Sequence, residues 1–154
     1  MSFKNIRKAL FTLAAAFIFI GGVSAETIEE RMEALFEESQ PYIDFFKKLK
    51  AAVAADDQKV VARMVEFPLE VTLPEGKKTI ENKKEFIEHY DVLFTPEVIE
   101  IIAKQKKDKL FVNSNGVMIG QGEVWFSGLG KDKYDDGVIV KIIAINPDAS
   151  EAAQ

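Results

Sequence analysis

The chain of 154 residues contains no cysteine. This absence excludes disulfide bonds, thiolate metal ligands and thiol nucleophiles, so the fold must be held together by its hydrophobic core. The single histidine, His89, leaves too few nitrogen ligands for an ordinary zinc site, and no G-x-S-x-G sequence presents a serine nucleophile. We therefore expect no metal and no cofactor, and no motif identifies a catalytic residue.

Residues 1–25 have the three parts of a secretory signal peptide. Basic residues come first, residues 9–20 are apolar apart from Thr12, and small residues end the segment at Ala25. An uncleaved anchor is the alternative, but a membrane-spanning helix needs about 20 apolar residues and this run is shorter. We expect cleavage after Ala25 and a periplasmic or secreted location.

Charge limits the kinds of partner that the exported chain can bind. Removal of residues 1–25 takes away three basic residues and no acidic one, so the net charge changes from −5 to −8. Such a field repels phosphate backbones and anionic lipid headgroups. We expect no nucleic-acid partner and no membrane association after cleavage. A protein partner, a small neutral ligand and a homodimer remain possible.

Helical periodicity dominates the first third of the chain and returns in its middle. Prolines and capping residues mark the helix starts: Asp56-Asp57, Asn82 and Thr95 precede helical patterns, and Pro41 suits a first turn. The predicted helices cover residues 26–40, 41–53, 58–66, 83–94 and 96–105.

Alternation at period two predicts strands in the remaining segments. The predicted strands cover residues 67–73, 77–80, 110–112, 117–127 and 137–146. Pro68 predicts an edge position for the first of them. This order indicates the α+β class, with N-terminal helices packed on a curved antiparallel sheet. We expect a single domain over residues 26–146 and a disordered tail over residues 147–154.

Two parts of this pattern resemble nuclear transport factor 2-like domains. The terminal part is Asn113–Phe126, closed by Val140–Asn146, and the upstream part is Phe67–Val71 leading into Lys84–Asp91. The resemblance spans roughly residues 41–146 and implies a cone of curved sheet and helices around a pocket. That family includes isomerases, cyclases, dehydratases, binding modules and immunity proteins, so the resemblance implies no single function.

The candidate binding residues lie on one face of the predicted strand 117–127, on the last strand, or on the predicted helix 83–94. They are Gln121, Glu123, Trp125, Lys141, His89, Tyr90 and Asp91. If the strand face lines a pocket, Glu123 beside an aromatic wall could move protons. If that face meets solvent, Glu123 and Lys141 form only a cross-strand charge pair. Gly120 and Gly122 leave room on the opposite face for a helix or a bulge.

Two classes of function fit these residues. We expect a non-enzymatic module that binds a small ligand or a protein partner, as an inhibitor or immunity protein does. Its acidic surface would steer it onto a basic partner. The alternative is a cofactor-free isomerase or hydratase with Glu123, or Asp91 with His89, as base and Tyr90 as hydrogen-bond donor. A deep pocket around a carboxylate favours the enzyme, and an exposed Trp125 over a filled core favours the module.

Expression of the full chain in an export-competent bacterial host is expected to yield a mature protein that begins at Glu26. Intact-mass measurement of the periplasmic fraction checks this. Replacement of Ala25 by arginine removes the small residue at the cleavage site and is expected to leave the longer chain in the membrane fraction. A wild-type chain that stays unprocessed in the membrane would show that residues 1–25 are an anchor.

Overall fold

The computed structural model describes residues 25–73, 76–131 and 137–149, so residues 1–24 of the predicted signal peptide lie outside it. The described helices are α1 (Ile28–Phe36), α2 (Gln40–Ala54), α3 (Gln58–Arg63), α4 (Lys83–Glu88), α5 (Tyr90–Leu93) and α6 (Pro96–Lys104). The described strands are β1 (Leu69–Leu73), β2 (Gly76–Ile80), β3 (Phe111–Asn113), β4 (Gly116–Ile119), β5 (Val124–Lys131) and β6 (Val138–Ile145). Within these residues, no helix has the length and apolar character needed to cross a bilayer.

Side-chain caps set the starts of four helices. The side chains of Asp57, Asn82 and Thr95 each accept a backbone N–H of the first turn, as their positions in the sequence predict. At α1, Thr27 and Glu30 form a reciprocal capping box, which places the helix start later than predicted. Local hydrogen bonds therefore determine where these four helices begin.

The helix predicted over residues 58–66 ends at Arg63, and two further predicted helices are also too long. The helix predicted over residues 26–40 ends at Phe36, because Glu37 adopts a left-handed φ of 70°. The helix predicted over residues 83–94 is divided into α4 and α5 at His89, whose φ of −107° and ψ of 8° are not helical. In both places the apolar pattern continues past a residue at which the backbone leaves the helix.

The strands of the described residues form one mixed sheet in the order β2-β1-β6-β5-β4-β3. Neighbouring strands are antiparallel except β1 and β6, which run parallel with Val71 opposite Ile145. The α+β class is confirmed, and the prediction of a wholly antiparallel sheet is wrong at this junction. The predicted edge position is also wrong, because Pro68 precedes β1 and β1 lies between two strands.

The prediction of one continuous strand over residues 117–127 is wrong, because this segment contains two strands. The chain leaves the sheet at Gly120 and re-enters it at Val124, so a turn separates β4 from β5. Gly120 and Gly122 have φ values of 68° and 125°, a region that glycine enters without steric cost. Beyond the turn, β5 continues to Lys131, so the loop predicted over residues 128–137 starts too early.

One face of the sheet is covered by helices and forms the core. Val117, Ile119, Val124, Phe126 and Ile142 point to this side and have no exposed surface. The ring of Phe45 on α2 lies 5.0 Å from that of Phe126. Full burial of such a side chain contributes about 1.5–3 kcal/mol. The inner positions of β4, β5 and β6 are thus occupied by packed side chains.

Candidate functional site

The outer face of the sheet carries a row of apolar side chains across four strands. The strand register places Phe111, Met118, Trp125 and Ala144 opposite one another in turn, from β3 to β6. Phe111 is 46% exposed, and its ring meets the edge of Trp125 at a centroid distance of 6.3 Å. The other three side chains are half-buried. We call these four residues the outer apolar row.

A bulge widens this surface on β6. The register shifts between Trp125 and Phe126, which leaves Ile143 without a partner of its own on β5. Ile143 is half-buried. Leu129 and Ile139, which are 45% and 38% exposed, lie further along the same two strands. Ser127 and Lys141 lie between these two side chains and the outer apolar row, so Leu129 and Ile139 form a second, separate apolar patch on this face.

Glu123 lies inside the β4–β5 turn and has no exposed surface. Its Oε2 accepts the backbone N–H of Gln121 at 2.6 Å, whereas its Oε1 has no hydrogen-bond partner among the described residues. The side-chain amide of Asn146 donates to the carbonyl of Gly122 at 2.9 Å and ties the turn to the end of β6. By accepting the N–H of Gln121, the buried Glu123 side chain stabilises the β4–β5 turn.

Gly120 provides the space that the carboxylate occupies. A Cβ at this position would overlap Oε2 of Glu123 and would lie 2.7 Å from Cγ2 of Ile101 on α6. The N–H of Gly120 donates to the side-chain oxygen of Gln105 at 3.0 Å. The expectation that this glycine leaves room for a helix is confirmed, although it does so from a turn and not from a strand.

An open cleft of about 690 Å³ lies between α6 and the β4–β5 turn, and Gln121 is an exposed part of its lining. Its rim combines acidic and basic side chains, and Lys104 pairs with Glu100 within it. Glu123 has no exposed surface, so solvent in this cleft does not reach its carboxylate. The turn separates the buried acid from the open space beside it.

His89 uses both of its ring nitrogens in hydrogen bonds. Its Nε2 lies 2.8 Å from Nζ of Lys78, and an ammonium group can only donate, so Nε2 accepts. The proton therefore resides on Nδ1, which donates to the carbonyl of Glu85 at 2.9 Å. The backbone N–H of Glu81 and then Lys78 lower the pKa of the Glu85 carboxyl. This arrangement leaves His89 no free nitrogen for a substrate.

Tyr90 points into the core. It is 2% exposed, its ring stacks on Phe94 at 4.8 Å, and its hydroxyl has no hydrogen-bond partner among the described residues. Burial, with a further contribution from Asp56 and Asp91, raises the pKa of Tyr90 to about 12. Asp91 itself is exposed. His89, Tyr90 and Asp91 are consecutive in the chain but lie in different environments. No described side-chain hydrogen bond joins one of them to another.

Lys141 lies opposite Ser127 on β5, and its Nζ donates to the backbone carbonyl of Arg63 at 2.6 Å. A cross-strand charge pair between Lys141 and Glu123 is therefore wrong. Burial lowers the pKa of Lys141, and the nearby charge of Lys83 lowers it further. The positive charge of Lys141 thus faces the end of α3 and not the β4–β5 turn.

The structure distributes the predicted residues over separate places. Gln121 and Glu123 lie in the turn, and Trp125 lies on the outer face, because the alternation that would unite them breaks at the turn. Sequence reasoning missed Phe111 and Met118. The short turn between β3 and β4 sets them opposite each other, and its register could have identified them.

No protein-family model, curated protein or solved structure matches this chain. Among the described residues, no three His, Asp or Glu side chains come together as a metal site. A functional proposal therefore rests on the geometry of the residues described above.

Replacement of Gly120 by alanine is expected to lower the free energy of unfolding by about 1–3 kcal/mol, because the backbone has a positive φ and the Cβ overlaps Glu123. Urea unfolding followed by circular dichroism measures this. Gly137→Ala is the matched control: no described atom lies within 4 Å of its Cβ, so its stability should stay the same or rise by up to about 1 kcal/mol. Equal losses in both variants would contradict the role of Gly120.

Replacement of Tyr90 by phenylalanine is expected to keep or raise the free energy of unfolding at pH 7, by about 1 kcal/mol at most, because the buried hydroxyl lacks a partner. Unfolded tyrosine ionises near pH 10 and folded Tyr90 at about 12. Wild type therefore loses stability as the pH rises through this window, whereas the variant has no hydroxyl at this position to ionise and does not show this loss. Urea unfolding at pH 7 and pH 11 measures both. A less stable variant at pH 7 would indicate that the hydroxyl has a partner and a role.

Proposed function

We propose that this protein is an exported, non-enzymatic binding module whose outer apolar row docks on a protein partner. The observation that carries the proposal is the alignment of Phe111, Met118, Trp125 and Ala144 on the outer face of a sheet whose inner face is already packed. Export is supported by the signal-peptide pattern of residues 1–25.

The shape and composition of the outer apolar row favour a protein over a small ligand. Four strands at a spacing of about 4.8 Å make the row roughly 14 Å wide, and it lies on a sheet face and not in a cavity. Aromatic residues and methionine are enriched at the centres of protein interfaces. Trp125 and Phe111, in edge-to-face contact, would act as the anchors of such an interface.

Electrostatics favours a basic partner over a second copy of the chain. Two copies of the mature chain would each carry a net charge of −8 and would repel each other during approach. A basic partner would be attracted by the same field, which raises the rate of association. The partner that we propose is therefore a basic protein of the same compartment, as for an inhibitor or immunity protein.

The nuclear transport factor 2-like cone is part of this proposal. It is supported by the order of the elements, in which α1–α3 precede the β1–β2 pair, and α4–α6 precede the antiparallel strands β3–β6. Immunity proteins and binding modules of that family would accord with the role proposed here.

A cofactor-free isomerase or hydratase is the second candidate, and one observation favours it. Oε1 of Glu123 is buried and lacks a hydrogen-bond partner among the described residues, which is costly in a folded protein. Catalysis would require the β4–β5 turn to open, because Gly120 and Gln121 separate the carboxylate from the cleft of α6. His89 would offer such a reaction no free nitrogen.

Substitution of Phe111 by lysine is expected to weaken binding of the partner at least tenfold, because it replaces the most exposed side chain of the outer apolar row by a charge beside Trp125. The mature protein serves as bait in an envelope extract, and the partner retained in stoichiometric amount at low salt is purified for titration. Val92→Lys is the matched control, since Val92 on α5 is also 46% exposed but lies off the sheet.

The chain has one tryptophan, so its emission reports on the outer apolar row alone. Emission from Trp125 is expected to shift to shorter wavelength when the partner binds. Equal binding by the two lysine variants, or an unchanged emission in the complex, would contradict docking on this face. A shift that depends only on the concentration of the chain itself, with dimers in sedimentation, would assign the face to a second copy.

A further inference from the structure

A cleft of about 490 Å³ lies between α3 and α4, away from the outer apolar row. Its floor is apolar: Ala62 is 1% exposed and Ile87 packs against the core. Its rim is charged and, apart from Glu88, entirely cationic. The rim cations are Lys59, Arg63, Lys83 and Lys84. We call this space the α3–α4 cleft.

The positive charge of this rim is largely uncompensated. Glu88 lies 3.9 Å from Lys84, one turn away on the same helix. Among the described residues, Lys59, Arg63 and Lys83 have no carboxylate within 4.0 Å. The chain has 25 acidic and 20 basic side chains, so carboxylates are in excess elsewhere. Asp56 and Asp57 line an adjoining cleft that also includes Lys59 and Ile87, but no ion pair among the described residues joins them to the rim cations.

Lys141 extends the same positive region. Its Nζ is bonded to the backbone carbonyl of Arg63 and not to a carboxylate. Burial lowers the pKa of Lys141 and the charge of Lys83 lowers it further, whereas Glu66 opposes this shift and Lys48 adds a smaller lowering effect. The ammonium groups around α3 therefore repel one another, and an anion among them would relieve that repulsion.

We propose that the α3–α4 cleft binds a small amphipathic anion, a carboxylate on an aliphatic chain. The aliphatic chain would lie against the half-buried side chain of Ile87, and the carboxylate would lie among Lys59, Arg63 and Lys83. The volume of the cleft falls within the range of small-molecule sites, about 300–1,000 Å³. This inference is independent of the protein partner proposed for the outer apolar row.

Other classes of ligand would match either the apolar floor or the cationic rim of the cleft, but not both. A neutral apolar molecule would cover the floor but leave the cations without a counter-ion. A bare inorganic anion would pair with the cations but leave the apolar floor exposed to water. A large polyanion would meet the acidic remainder of the chain, whose repulsion acts over about a Debye length, near 10 Å. A single carboxylate with a short apolar chain is small enough to experience only the local field.

Calorimetric titration of the purified exported protein with sodium octanoate tests the proposal. We expect saturable binding of one octanoate per chain, binding of 1-octanol weaker by roughly tenfold, and no saturable binding of acetate. Equal affinity for octanol would remove the role of the cations, and binding of acetate would remove the role of the apolar floor. Absence of saturable octanoate binding would overturn the proposal.

Two double variants with the same change in charge locate the site. Arg63→Gln with Lys83→Gln is expected to weaken octanoate binding roughly fivefold or more, from the loss of two charge contacts. Lys106→Gln with Lys109→Gln, in the cleft beside α6, is expected to leave it unchanged. Thermal unfolding verifies that both variants fold. Equal weakening by the two would show a general effect of charge and overturn the assignment.

Two further outcomes would place the anion elsewhere. Loss of octanoate binding in Phe111→Lys would move the ligand to the outer apolar row. Co-sedimentation with phosphatidylglycerol vesicles, without binding of free octanoate, would identify a membrane surface as the ligand. Either result would overturn the assignment to the α3–α4 cleft, whereas failure of the protein-partner experiment would not affect it.

Discussion

The carboxylate of Glu123 occupies the inside of the β4–β5 turn, and it fits there only because position 120 has no Cβ. This turn determines which side chains face the helices. Since it takes up four residues, Ile119 before it and Val124 after it both point inward, and Trp125 points outward. An uninterrupted strand would have placed Trp125 on the same side as Ile119. The outer apolar row exists because the alternation is reset here.

Net charge describes the chain as a whole, and its surface is less uniform. The net charge of −8 that cleavage after Ala25 would leave favours neutral or basic ligands. The rim of the α3–α4 cleft has the opposite local sign, and short-range contacts of a small ligand are governed by that local sign. A protein of this kind can attract a basic macromolecule from a distance and still hold a small anion in a positive cleft.

The features that sequence reasoning predicted are those determined by near neighbours. Asp57, Asn82 and Thr95 bond backbone groups within one turn, so their positions indicated the helix starts. Two of the errors involve partners from other elements of the fold. The parallel pairing of β1 with β6 joins segments more than 70 residues apart, and no local pattern reports it. His89 bonds Lys78 on β2, so the end of α4 depends partly on another element.

Glycine at positions 120 and 122 is compatible with a bulged strand and with a turn, and the two alternatives place Glu123 and Trp125 differently. Only the packing of Ile101 and Glu123 against position 120 distinguishes them. Of the outer apolar row, sequence reasoning identified only Trp125, because the row is assembled from strands that no local pattern brings together. Gln121, Glu123 and Trp125 all lie near the turn, yet on different sides of it.

The two edges of the sheet are both unsuited to adding another strand. At one edge, β2 carries Lys77 and Lys78, and lysine on an edge strand opposes pairing with a further chain. At the other edge, β3 has three residues and contacts α1. A protein with apolar side chains exposed on a sheet face, as Phe111 is among the described residues, would otherwise risk growing into fibres. Because neither edge strand favours pairing with another chain, the apolar face could bind the proposed partner without promoting aggregation through added strands.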